Sequence, residues 1–420
     1  MRYMPNSNKK GINFMVKNKI RYLFLILAIL SVCCLVGCSN VIATEEYKEG
    51  LIVIKDGEKY GYCDLEGNII IPATYSGADS FYNGYANVRV YENGHSRGVI
   101  IDTSGNVVFD PFKNLPEGIT VYDDTQMNGE GLIVIEKKVE GTYNEAEKTL
   151  YGVIDVHGNE VIALQDKWKP ISEDDHRQFH YSNTKFSNGY AWVLSQDSKY
   201  AHLINKNNEI VVTEEIDSLP YESLIFGDVT DDGLTTIHGE NYNEDHKVDN
   251  GFWLVKSVSG NTIMEVGFDE CKTVNGSQLY ISDGTILWEN KYYNLDGSLM
   301  LDMSKEYDEV DCSTFNNGFA AISFVGKDDE RYYAYIDKTG DFVYEPQNEY
   351  NDLGDFYGEY ALIESVSPIS ESKTGYIIDS NFNIISKEIE NPYKMISEYG
   401  HVITHQGELI DVSGNKIEIK

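Results

Sequence analysis

The chain has 420 residues, 68 acidic against 34 basic side chains and 41% hydrophobic content, enough apolar mass for sizeable cores and too little bias for disorder. Six basic residues precede Cys38 (Arg2, Lys9, Lys10, Lys17, Lys19, Arg21) with no acid among them, so residues 38–420 carry 28 basic and 68 acidic groups, a net charge of −40. Nucleic acids and anionic lipid surfaces are held by clustered Lys and Arg, so this balance argues against both as partners.

In chain order, Lys17, Lys19 and Arg21 lead into an apolar run from Tyr22 to Leu30, the charged segment and core of a secretory signal. Leu35-Val36-Gly37-Cys38 follow, and these four residues resemble the lipobox of bacterial lipoproteins, in which a small residue precedes a Cys whose thiol receives a diacylglycerol before cleavage. A membrane-spanning helix from Tyr22 to Val36 is the alternative, but it offers about 15 residues where a bilayer needs about 20. The resemblance implies a lipoprotein signal peptide over 1–37, lipidation (palmitate-type acylation) at Cys38 and a lipid-anchored linker over 38–46. The mature chain then lies on the extracytoplasmic face of a bacterial cell membrane. Met15 is an alternative start, because residues 1–14 add nothing a signal needs.

Cys63, Cys271 and Cys312 remain beyond the lipidation site, an odd number spread too widely for a disulfide framework. Each lies in or beside an apolar stretch, which predicts buried free thiols. No CxxC or Cys/His cluster points to zinc.

Everything after the anchor repeats. A turn of the form Asp-x-x-Gly-Asn recurs nine times, its first position being Asp64, Asp102, Asp155, Asn205, Ser257, Asn294, Asp337, Asp379 and Asp411. The fourth position is Gly67, Gly105, Gly158, Asn208, Gly260, Gly297, Gly340, Phe382 and Gly414. The first residue suits a side chain that hydrogen-bonds its own backbone, and the fourth suits positive φ. A type I turn closed by a left-handed residue joins antiparallel strands, and the flanks are β-formers. At Phe382 the expectation is that Asn381 takes the left-handed conformation instead.

A second element precedes each turn: Phe81-Tyr-Asn-Gly84-Tyr-Ala-Asn-Val88, Phe186-Ser-Asn-Gly189-Tyr-Ala-Trp-Val193, Phe315-Asn-Asn-Gly318-Phe-Ala-Ala-Ile322 and Phe356-Tyr-Gly-Glu-Tyr-Ala-Leu-Ile363, with weaker copies around Gly50, Gly131, Gly233, Gly276 and Gly400. Nine such elements alternate with nine turns, giving a unit of about 43 residues with at least three strands. Small or branched residues (Ala86 and Val88) alternate with aromatics (Tyr85), so both faces of each sheet are partly apolar and need neighbours on both sides.

These residues resemble the bacterial WG (KWG) β-repeat, with phenylalanine-x-asparagine-glycine-x-alanine followed by tryptophan-glycine-x-isoleucine-aspartate-x-x-glycine. The likeness covers residues 45–420 and departs at the namesake pair, where Tyr60-Gly61, Arg97-Gly98, Tyr151-Gly152 and Tyr200-Ala201 stand. It implies an all-β, propeller-like repeat domain over 47–420 and no assigned chemistry. Unit size independently favours a closed ring of about nine units, with an open β-solenoid as the alternative. Long polar connections are expected at Pro111–Met127, Gln165–Lys185, Glu214–Thr230 and Gly239–Asn250.

Several constellations touch on chemistry. Gly227-Asp-Val-Thr-Asp-Asp-Gly233 superficially resembles a calcium loop, but Gly239 occupies the twelfth position where a carboxylate is needed. His176 with His180, and His401 with His405, have the four-residue spacing of helical metal ligands, yet His401 follows a strand-like glycine element and no glutamate lies between either pair. Asp123-Asp124, Asp174-Asp175 and Asp328-Asp329 provide adjacent carboxylates of the kind a glycosidase sets 5–10 Å apart, in a chain where acids are abundant. Trp168, Trp192, Trp253 and Trp288, with 31 tyrosines, offer candidate glycan platforms, although strand packing explains aromatic residues equally directly. No nucleophile elbow, HExxH or phosphate loop occurs. The sequence therefore predicts a membrane-anchored, monomeric, non-catalytic binding or scaffold module at the cell envelope, with an envelope protein or glycan as ligand and no metal or cofactor. The alternative is a carbohydrate-active hydrolase whose paired carboxylates converge on a propeller.

Overall fold

The structure, a computed structural model, describes residues 41–420 apart from 93, 123–129, 142–145, 172–183, 220, 244–247, 270–277 and 367–372. Cys38 and the signal segment, Cys271, His176, His180, Asp123-Asp124, Asp174-Asp175 and Gly276 lie outside the described residues.

Residues 42–419 make one compact unit. Nine four-stranded antiparallel sheets follow one another in it, over 41–75, 77–109, 120–165, 168–215, 223–269, 280–302, 308–347, 352–390 and 392–417. Within every sheet the strands lie side by side in chain order. This is the expected propeller of nine blades, numbered 1 to 9 here, with a fourth strand in each. The first strand, at 41–48, begins inside the stretch read as a linker.

All nine turns join a blade's third strand to its fourth. In each, the fourth residue's N–H donates to the first residue's carbonyl at 2.8–3.1 Å, and that fourth residue has φ between +61° and +90°. The expectation at Phe382 fails: Phe382 itself takes φ +62°, not Asn381. Its ring explains the choice, packing with centroids 5.1–5.8 Å from Phe319, Tyr335, Tyr344 and Phe356. Aromatic packing of that kind outweighs a left-handed penalty of about 1–2 kcal/mol.

The glycine elements open the second strands, and in eight blades the first residue of that strand sits opposite the first residue of the turn, as Tyr85 does opposite Asp102 and Tyr360 opposite Asp379. Glycine elements and turns therefore share one end of every blade. In blade 6 the element is Asp283-Gly284, with φ +73° at Gly284, rather than one centred on Gly276. Three of the supposed long connections hold short first strands, at Thr120–Val121, Trp168–Pro170 and Ser223–Phe226. The fourth, 239–250, is the tip of the hairpin formed by Leu234–Tyr242 and Val248–Ser257, the longest strand pair of the fold.

Packing between blades follows from the two apolar faces of each sheet. Leu51, Val53, Tyr62 and Ile71 of blade 1 share a core with Phe81, Ala86, Val88, Val99 and Ile101 of blade 2. A tyrosine two residues before the turn reaches across: Tyr62, Tyr292 and Tyr335 are fully buried and donate to the carbonyls of Asp79, Ser313 and Gly354 in the next blade at 2.7–2.8 Å. Each of these rings also meets the phenylalanine of that next blade, Phe81, Phe315 or Phe356, at 4.6–5.3 Å. Cys63 is fully buried and Cys312 partly so; burial pushes both thiols up to about 12.

Blade 9 meets blade 1. The Ala43 N–H donates to the Gly407 carbonyl at 2.9 Å, and the turn at Gly67 lies against Ile417 and Glu418. Blades 1 and 9 exchange no strand, so side-by-side contact alone closes the ring.

Candidate binding face

The most repeated polar feature is the end of the blades where turns and glycine elements meet. Its aspartates are engaged with their own backbone. Asp102 Oδ1 accepts the N–H groups of Ser104 and Asn106 at 3.0 and 2.9 Å, and Oδ2 accepts the Asn106 side-chain amide at 3.0 Å. Asp64, Asp155, Asp379 and Asp411 repeat the arrangement with Asn68, Asn159, Asn383 and Asn415, which accounts for asparagine at the fifth position. The Asn106 amide holds the Asp102 carboxyl below its usual range, the Thr339 hydroxyl does so for Asp337, and the Asn383 N–H does so for Asp379. Carboxylates locked this way cap turns and are poorly placed for acid/base work.

A second set of acids ties neighbouring blades together. Glu49, Glu130 and Asp283, each just before a glycine, accept the N–H of Gly84, Gly189 and Gly318 in the following blade, each at 2.7 Å. Lys206 pairs with Glu130 at 2.8 Å and Lys338 with Asp283 at 3.3 Å.

Irregular features are local. A cleft between blades 4 and 5 is lined by Lys185, Tyr190, Trp192, Phe226 and Asp228, with Lys185 and Asp228 paired at 2.6 Å. The calcium-like segment lies here, and its geometry is that of another turn: Gly233 N–H donates to Thr230 carbonyl, while Ser187 and Asn188 donate to Val229 carbonyl. Among the described residues no group of three or more His, Cys, Asp or Glu forms a metal cluster. On blade 5, His238 stacks on Trp253 at 4.0 Å and lies 3.4 Å from Glu240, which accepts the Tyr242 hydroxyl at 2.7 Å. Burial holds His238 below its ordinary pKa against the pull of Glu240. Sequence reading missed this network because Glu240 and Tyr242 fall in the segment 239–250, which was expected to be a loop.

The other sequence candidates are dispersed. His401 is half buried beside the backbone of Leu65, where burial lowers its pKa, and His405 packs edge-on against Tyr393. Asp328 accepts the Glu330 N–H and the Tyr332 hydroxyl, an exposed turn rather than a catalytic pair. Trp168, Trp192 and Trp288 are buried, and two pin adjacent elements: Trp168 Nε1 donates to Asn208 at 2.7 Å and Trp192 Nε1 to Thr235 at 3.0 Å. Buried indoles cannot serve as glycan platforms. The hydrolase alternative requires two raised carboxyls facing one pocket. Burial raises the Asp355 pKa above its ordinary value, opposed by the Ser313 hydroxyl and reinforced by Asp352.

The family model described as WG containing repeat matches residues 60–93 and 333–365. The chain contains WG repeats. Each matched WG repeat begins in the third strand of one blade and takes in most or all of the second strand of the next. The sequence unit is thus offset by half a blade from the structural one, and it encloses a whole inter-blade contact: Tyr62 with Phe81, or Tyr335 with Phe356. The glycine of the namesake pair also has a steric reason. At Gly61 a Cβ would collide with the backbone of Ile71 and Ala73 in the fourth strand, where a register shift brings it close.

No curated protein matches the chain. Among solved structures, KlHsv2 with loop 6CD replaced by a Gly-Ser linker is similar at 9% identity, covering 81% of this chain and 93% of that one with a TM-score of 0.33. An uncharacterized protein from Listeria monocytogenes EGD-e is similar at 10% identity over 81% and 92% of the two chains, TM-score 0.32. Dihydro-heme d1 dehydrogenase NirN in complex with DHE is similar at 10% identity over 83% and 66%, TM-score 0.32. Scores this low carry nothing about activity.

Proposed function

We propose that this WG-repeat propeller is a non-catalytic binding module, tethered through a lipid on Cys38 to the extracytoplasmic face of a bacterial cell membrane. The observation that supports it best is the engagement of the repeated acids: the turn aspartates accept their own backbone N–H groups, and Glu49, Glu130 and Asp283 hold the next blade. The repeated chemistry builds a rigid face and leaves variation to the loops, the division of labour of a recognition scaffold. The tether rests on Leu35-Val36-Gly37-Cys38 at the end of the apolar run.

The test is expression in a bacterium of the wild type and of Cys38→Ser, followed by membrane fractionation and intact-mass analysis. Wild type is expected in the membrane with an N-terminal Cys38 bearing a diacylglycerol, and the variant is expected to lack the lipid mass. An unmodified Cys38 in the wild-type product removes the tether; turnover of a glycan substrate by the wild type removes the non-catalytic reading.

A further inference from the structure

The ring closure brings together an arc of tyrosines. Tyr357 of blade 8, Tyr399 of blade 9 and Tyr82 of blade 2 are 44%, 43% and 45% exposed. All three belong to glycine elements, Tyr82 and Tyr357 following Phe81 and Phe356 and Tyr399 preceding Gly400. A series of contacts shows that these elements adjoin. Gly358 lies against the backbone of Glu398, and Gly400 against the ring of Tyr360, which joins blades 8 and 9. Tyr399 is hydrogen-bonded to Glu398 and lies in the field of Glu49, and both raise its hydroxyl pKa, which joins blades 9 and 1. Glu49 in turn accepts the Gly84 N–H at 2.7 Å, which joins blades 1 and 2.

Within the nine five-residue turns at this end, Lys occurs only in blades 4 and 7, and the arc shares its lack of Lys and Arg with blades 3, 5 and 6. Glu130 of blade 3 and Asp283 of blade 6 are matched by Lys206 and Lys338, supplied from the second position of the turn in blades 4 and 7. In blades 8, 9, 1 and 2 that position is Ser380, Val412, Leu65 and Thr103, and the four turns contain no Lys or Arg. Glu398 and Glu49 lie beside the Tyr399 hydroxyl. Lys387, at the edge, packs its stem against Gly414.

We propose that this tyrosine arc is the docking surface for a Lys- or Arg-bearing polypeptide segment. The proposal rests on the reading of the propeller as a non-catalytic binding module and adds the partner's chemistry. A phenol face attracts an ammonium or guanidinium through its quadrupole, and nearby carboxylates add ion pairing. The net charge of −40 on residues 38–420 steers cations toward the surface and repels anions.

The experiment measures fluorescence anisotropy of a labelled lysine- and arginine-rich dodecapeptide titrated with the full chain in detergent micelles. Three variants are compared with wild type: Tyr82→Ala/Tyr357→Ala/Tyr399→Ala, the matching triple phenylalanine variant, and a distal charge control, Glu58→Gln/Glu117→Gln/Glu345→Gln. Three cation–π contacts correspond to roughly a 10-fold or greater loss in the alanine variant, with the phenylalanine variant within about 2-fold of wild type. The distal control is expected to fall within about 2-fold of wild type as well. An alanine variant that binds as wild type does, or no better separated from wild type than the distal control, overturns the proposal. So does tyrosine-dependent binding of an uncharged N-acetylglucosamine hexamer without peptide binding, which assigns the arc to glycans. Hydrolysis of that hexamer would instead remove the underlying non-catalytic reading, whatever the tyrosines do.

Discussion

Replacing Tyr335 by alanine is expected to lower unfolding stability by about 4 kcal/mol, the middle of the range for truncating a large buried aromatic. Tyr335 is fully buried, its ring meets Phe356 and Phe382 at 5.3 and 5.5 Å, and its hydroxyl donates to the Gly354 carbonyl at 2.7 Å. Alanine leaves a cavity between blades 7 and 8 and strands that carbonyl; phenylalanine keeps the packing and loses only the hydrogen bond, for about 1 kcal/mol. The same ranking is expected at Tyr62 and Tyr292. Denaturant titration followed by tyrosine fluorescence checks it, and equal losses for Tyr335→Ala and Tyr335→Phe would mean that the hydroxyl, not the ring, holds the blades.

The second large effect is at the closure of the ring. Gly67 has φ +80°, and a Cβ there would collide with the Glu418 carbonyl of blade 9. Gly158 occupies the same turn position in blade 3, with φ +81°, and a Cβ there meets nothing within 4 Å. Both alanine substitutions incur left-handed strain of about 1 kcal/mol, and only Gly67→Ala adds overpacking against backbone, for a total of about 3 kcal/mol. Thermal unfolding of the two variants side by side isolates the seam, since the shared strain cancels. Equal midpoints would show that blades 9 and 1 do not press on each other at this turn.

The turns and the count of nine were legible because they rest on local chemistry: an acid that caps its own backbone, and a residue tolerant of positive φ. Phe382 was misread for the complementary reason, since its conformation is set by four aromatic rings distant in sequence. First strands such as Thr120–Val121 and Asp352–Leu353 span two residues, too few for alternation to register, so some were absorbed into supposed loops. The offset between WG unit and blade was also hidden, because a sequence repeat has no preferred starting point. Gly284 was passed over because Asp283-Gly284 lacks the preceding phenylalanine that marks the stronger copies. The candidate face was legible as turns, while its tyrosine arc depends on which blades become neighbours when the ring closes.

Closure without strand exchange is the central claim, and amide hydrogen exchange at Ala43 tests it most directly. That N–H donates to Gly407 in blade 9, so its protection depends on the seam. A closed ring predicts that it exchanges as slowly as amides paired within blade 1, such as those of Val53 and Tyr62. Exchange at the rate of an exposed strand edge, with Val53 and Tyr62 still protected, would mean that the nine blades form an open array.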